Sequence, residues 1–263
     1  MLYIALAAPP FLFGSREPIF VASWCAVLGA GLIFAPTRRL LQGHLAVLAV
    51  LAFVALCFAF VLHEQLSDHP WIANFNPIWS RASEALGKQL VPSVSAVRGE
   101  PFFALGPSLA NALALVLGLL VGIDADRARR AIRIMAWSGV GYAIYGILAL
   151  AFTPSAILWR EKTAYLGSLT STFINRNTAA AYFGSCAVVW LILLMSSIRE
   201  ILPRGSIEWK KVLSRLASKT RKRILVRFVM VFVCLTAMFM TNSRGGTLVS
   251  LIVLVLTFLV YFW

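Results

Sequence analysis

The sequence predicts an all-α protein, a polytopic transmembrane helical bundle of about eight spans, and three observations carry that prediction. First, 60% of the 263 residues are hydrophobic and only 13% are charged. A soluble domain carries about 45–50% apolar and about 25% charged residues. Second, the apolar residues do not alternate with polar ones. They lie in blocks of roughly 17 to 22, the length that crosses a hydrocarbon core of about 30 Å at about 1.5 Å per residue. Third, the basic residues fall between these blocks. The formal net charge is +14, from 24 Lys and Arg against 10 Asp and Glu. In a soluble chain that balance points to nucleic acid. Here no aromatic-interleaved basic patch is present, so no nucleic-acid partner is expected; cytoplasmic loops and anionic membrane lipid account for the charge.

The elements follow in order. Residues 2–13 are read as a first span, kinked at Pro9-Pro10. A signal peptide would need a basic n-region and a small-residue cleavage site, which this stretch lacks. Further spans are expected at about 18–36, where Thr37-Arg38-Arg39 stops the chain, and at 44–62. Residues 63–106 hold Trp71, Asn74, Asn76, Trp79 and both signs of charge without a long apolar run. They are expected to form an external loop with short interfacial helices, since Trp prefers the headgroup level and the stretch is too long for a simple connection. Spans at 107–123 and 134–152 flank the polar stretch 124–133. A second external loop, 153–177, leads to a span at 178–198, and a basic cytoplasmic loop, 199–227, leads to a span at 225–241. The last, 247–263, is still apolar at Trp263. All are expected to belong to a single transmembrane domain over residues 1–263.

Alternating loops distinguish the two sides. Segments 37–43, 124–133 and 199–227 contain 16 Lys and Arg; the other set contains 8. The positive-inside rule therefore predicts a cytoplasmic N-terminus and places loops 63–106 and 153–177 outside. The four cysteines, Cys25, Cys57, Cys186 and Cys234, lie inside apolar blocks and form no CxxC pair. They are read as small buried hydrophobes, and no metal or other cofactor is expected.

Two polar motifs border the spans. The first is Ser171-Thr172-Phe173-Ile174-Asn175-Arg176-Asn177-Thr178-Ala179-Ala180-Ala181-Tyr182-Phe183-Gly184, two amides and a guanidinium ahead of a run of small residues. A plain helix cap explains it too: Asn175 or Asn177 accepting backbone N–H bonds, with Arg176 snorkelling to the headgroups. The second is Asn242-Ser243-Arg244-Gly245-Gly246, a short turn between two apolar runs. An arginine there is costly unless it faces a polar cavity or a partner, although a hairpin turn with a snorkelling Arg244 also fits. Together the motifs place Arg176 and Arg244, each flanked by asparagine, on one membrane face. Arginine offers permanent charge and bidentate geometry for phosphate, so a lipid-linked phosphate or pyrophosphate is the expected ligand.

The pairing of Thr-Phe-Ile-Asn-Arg-Asn-Thr-Ala-Ala-Ala-Tyr-Phe with a later Asn-Ser-Arg-Gly-Gly resembles the O-antigen ligase family, which includes lipopolysaccharide O-antigen ligases and O-antigen polymerase-like membrane proteins. The specific likeness covers mainly residues 170–250, and the early Phe-Leu-Phe-Gly-Ser-Arg-Glu-Pro also looks like a first loop of such proteins. The resemblance implies a fold like that of the C-type glycosyltransferase-like membrane enzymes. It also implies metal-independent glycosyl transfer on the periplasmic face of the bacterial inner membrane. The donor would be a glycan on undecaprenyl pyrophosphate and the acceptor a sugar hydroxyl on a glycan or lipid. Arg176 and Arg244 would contact the pyrophosphate, oriented by Asn175, Asn177 and Asn242. The family's later periplasmic loop and its acceptor-activating histidine have no counterpart before Trp263, so the chain is read as the N-terminal portion of such a protein with its catalytic residue unknown. His44 is expected on the cytoplasmic side, and His63 and His69 in surface or interfacial roles.

Other features have plainer readings. Gly118-Leu-Leu-Val-Gly122 fits GxxxG helix packing within the bundle. Asp124 and Asp126 read as a solvated cluster among arginines, and the basic stretch 199–227, with an amphipathic segment around 209–225, as a contact for anionic lipid. Two rival functions remain: a non-catalytic truncated membrane protein, and an anion or polysaccharide transporter. The transporter predicts mid-span ionisable residues and half-helices, neither of which is evident.

Overall fold

Proline, glycine and the helix-starting carboxylates decide where the apolar blocks become helices. The structure, a computed structural model, describes residues 1–15, 17–35, 40–201 and 219–262. Arg16, the stop signal within 36–39, most of the amphipathic basic segment (202–218) and Trp263 lie outside the described residues. Helices account for 75% of the chain, and the described strands are two residues each, so the fold is all-α. Among the described residues, six helices are long and apolar enough to cross a membrane.

The block expected to span at 2–13 is a six-residue helix, α1 (Leu2–Ala7), followed by a 3-10 segment over Pro9–Ser15. Pro9 and Pro10 supply no N–H donor and end the α-helix. Beyond them Phe13 and Gly14 adopt left-handed φ of 54° and 69°. The next helix, α2 (Pro18–Ile33), has 16 residues, about 24 Å at its usual rise and short of the hydrocarbon thickness. The others are longer than hydropathy alone suggests: α3 (Gln42–Leu66), α5 (Glu100–Gly122), α6 (Ala125–Phe152), α7 (Arg176–Ile201), α8 (Lys219–Met240) and α9 (Arg244–Phe262). A short helix, α4 (Ile78–Leu86), lies between α3 and α5. The polar stretch 124–133 is not a loop. Asp124 Oδ1 accepts the backbone N–H groups of Asp126 and Arg127 at 3.0 Å each, capping α6 so that its first turns carry the arginines.

The chain divides into two compact units, one of Met1–Ala5 and Arg16–Ala128, the other of Leu6–Ser15 and Arg129–Trp263. In the first, α2 and α3 pack on α5. Glycine permits the α2–α5 approach: a Cβ on Gly31 would stand 2.8 Å from Leu117 Cδ2, and one on Gly106 would stand 3.0 Å from Val21 Cγ1. Glu64, 6% exposed, accepts the N–H groups of Trp71, Ile72 and Ala73 at 2.8–2.9 Å. The connection after α3 is thereby folded back, with the His63 ring 4.2 Å from that of Trp71. Further along, Trp79 Nε1 donates to Ser95 O at 3.0 Å and Arg98 pairs with Asp68 at 2.8 Å. In place of the loop expected over 63–106, α3 runs to Leu66 and α5 begins at Glu100, and the connection between them carries α4. No residue of the most apolar stretch of α3 is buried. Such a surface belongs against acyl chains, and the chain is a membrane protein.

In the second unit α7 is central, with α8 and α9 packed on it. The core joins Ala143, Phe173, Ala180, Phe183, Ala237 and Met238, and a second cluster centres on Val140, Cys186, Trp190 and Cys234. Small residues set the helix spacing, as in membrane bundles generally. A Cβ on Gly139 would clash with Cys186 Sγ, and one on Gly184 would clash with Ser250 Oγ. Trp190 Nε1 donates to Ala136 O at 3.0 Å, tying α6 to α7. Between those helices the chain forms a small hairpin, β1 (Ala156–Ile157) against β2 (Arg160–Glu161), and Arg160 lies 4.3 Å over the Phe13 ring.

Candidate anion-binding cleft

Two helix N-termini meet in the second unit, and each begins with an arginine. Arg176 is the first residue of α7 and Arg244 the first of α9. The chain reaches α7 through Asn175, whose Oδ1 accepts the Asn177 N–H at 2.7 Å while its carbonyl accepts Ala179 N–H at 3.1 Å. Asn175 is therefore the N-cap. At α9 the cap is Ser243, buried at 3% exposure, whose Oγ accepts Gly246 N–H at 3.2 Å. The same hydroxyl donates to Asn177 Oδ1 at 2.8 Å. One serine thus caps α9 and fastens it to the first turn of α7.

The close approach depends on Gly246. A Cβ there would lie 2.6 Å from Ala180 Cβ and 2.9 Å from Ser243 Oγ. The turn itself depends on Asn242, at φ 55°, a left-handed conformation that asparagine adopts several-fold more readily than most residues. The Asn242 amide donates to Ser168 Oγ at 3.4 Å, and Ser168 O accepts from Lys162 Nζ at 2.7 Å. Leu169 N–H donates to Met240 O at 2.9 Å, so the 153–175 segment is held against the end of α8.

These contacts leave an open cleft of about 900 Å³ lined by Arg176, Asn177, Asn242, Ser243 and Arg244, with Leu248 and Leu251 forming an apolar side. Among the described residues no carboxylate lines it. Arg176 is half-buried and rests 5.2 Å from the Tyr165 ring, a cation–π contact that leaves its N–H edges available. Arg244 is exposed. Two guanidinium groups, with the positive ends of two helix dipoles behind them, make a field suited to an anion. The leucines suit an apolar chain attached to it.

Of the residues singled out from sequence, Arg176, Asn177, Asn242 and Arg244 line one cleft. Asn175 does not; its side chain caps α7. Sequence reasoning passed over Ser243, Ser168, Tyr165 and Lys162. Ser243 lies within the second motif, beside the more conspicuous Arg244. Lys162, 6% exposed, carried no signal beyond its charge. His63 sits by Glu64 and Trp71 in the first unit. Comparison with protein-family models, with curated proteins and with solved structures returned no match.

Proposed function

We propose that the chain is an O-antigen ligase-like glycosyltransferase, or the part of one that holds the donor. It would act on a glycan carried by undecaprenyl pyrophosphate and transfer it to a sugar hydroxyl. The observation that carries this reading is the meeting of Arg176 and Arg244 at two helix N-termini in one cleft, with no carboxylate among its described lining residues. In glycosyl transfer the pyrophosphate departs as negative charge accumulates on it. Guanidinium groups and helix-terminal N–H groups fixed at that position stabilise the transition state more than the ground state. Asn177 and Ser243 hold the two helix starts together, and Leu248 and Leu251 face the first isoprene units.

In this reading the cleft opens on the periplasmic side of the bacterial inner membrane. The basic starts of α6 and α8 and the chain's N-terminus then lie in the cytoplasm, as the distribution of Lys and Arg favours. The test uses the complete gene product in membranes: Arg244→Ala should lower glycan transfer from the lipid carrier about a hundredfold. Transfer at the wild-type rate would remove Arg244 from the donor site.

A further inference from the structure

The second unit carries another cationic cleft at the other ends of its helices. It has a volume of about 400 Å³ and lies between the first half of α6, the second half of α7 and the opening turns of α8. Arg133, Lys222, Arg223 and Arg227 line it. Glu200 pairs with Arg223 at 3.2 Å. Arg227 is half-buried and donates to Leu193 O and Ser197 Oγ. Arg133 donates through Nε to Arg129 O at 3.3 Å, with no partner for its terminal nitrogens among the described residues, and Lys222 stands exposed.

The remaining wall is apolar. Trp190, 3% exposed, is fixed by its bond to Ala136 O and meets Trp137 edge-on at 5.1 Å. Trp137 is 53% exposed, and Leu193 and Val226 continue the same surface. The charges are placed against the helix dipoles. Arg221, Lys222 and Arg223 stand in the opening turns of α8, whose first turn carries no carboxylate among the described residues. Cations at helix N-termini are destabilising unless an anion shares the site.

We propose that this cleft binds an anionic phospholipid. Its phosphate lies between Arg133, Lys222 and Arg223, and one acyl chain lies along Trp137, Leu193 and Val226. A free phosphate would answer the charges but leave the tryptophan wall uncovered; a neutral lipid would do the reverse. Only an anionic amphiphile matches both halves of the surface.

The full chain, reconstituted in phosphatidylcholine vesicles, provides the test. Brominated phosphatidylglycerol is titrated in, and the fluorescence difference between the wild type and Trp137→Phe isolates quenching at this cleft. Quenching should half-saturate at a severalfold lower mole fraction of brominated phosphatidylglycerol than of brominated phosphatidylcholine. The Arg133→Gln/Lys222→Gln pair should lose most or all of that preference, while Arg133→Lys/Lys222→Arg should keep it. Equal quenching by the two lipids, or a preference surviving in the Gln pair, would overturn the proposal. So would release of the brominated lipid by inorganic phosphate, which would make a free anion the occupant. If the Gln pair does not fold, the comparison of lipids on the wild type decides the matter.

Discussion

Arg176 and Arg244 share a cleft but are held differently, and the residues around them determine how. Arg176 is braced by Tyr165, whereas Arg244 depends on the turn made by Asn242 and Ser243. Behind that turn, Lys162 is buried against Ser168 O, and burial pushes its ammonium below the usual lysine range near 10.5. As pH rises, the folded state releases this proton before the unfolded state does. Between the depressed value and 10.5 the unfolded chain therefore binds more protons, and stability must rise with pH across that window. The thermal midpoint of the full chain minus that of Lys162→Met should accordingly increase from neutral pH toward pH 10.5. A difference independent of pH would mean that Lys162 is not desolvated by the fold.

At the scale of elements, adjacent glycines at the start of α9 behave oppositely. Gly246 faces Ala180 at a distance no Cβ tolerates, while a Cβ on Gly245 would meet nothing within 4 Å. Gly246→Ala should destabilise the protein by about 1–3 kcal/mol through overpacking of α9 on α7. Gly245→Ala should stabilise it by about 0.5–1 kcal/mol through helix propensity. Thermal melts of the two variants check both signs. Sequence alone could not separate these glycines, because the difference lies in what α7 presents across the gap. The same limit applies to Gly118 and Gly122, whose spacing suggested helix packing but which face open space. The start of α6 was missed for another reason. A run of arginines reads as a loop on a hydropathy scale, yet arginine is a good helix former and Asp124 supplies the cap. The two early blocks fell short because the prolines at 9 and 10 end one helix and the next stops after 16 residues. The long apolar helices from α3 onward were legible because nothing but a bilayer accommodates them.

For the whole molecule, hydropathy fixed the class and the order of the long helices, while the meeting of distant motifs needed the fold. Residues 176 and 244 are far apart in sequence, and only the antiparallel course of α7, α8 and α9 returns both to one end of the second unit. That course also puts the basic starts of α6 and α8 at the other end, so one bundle presents two cationic clefts of different character. The first of these is proposed as the site for a lipid-linked pyrophosphate. The most direct measurement is the binding of farnesyl pyrophosphate to the full chain in phosphatidylcholine nanodiscs, compared with the Arg176→Gln/Arg244→Gln pair. Charge-assisted contacts predict saturable binding to the wild type that weakens by about tenfold for each arginine removed. Equal affinity for wild type and the double variant would contradict the assignment of this cleft.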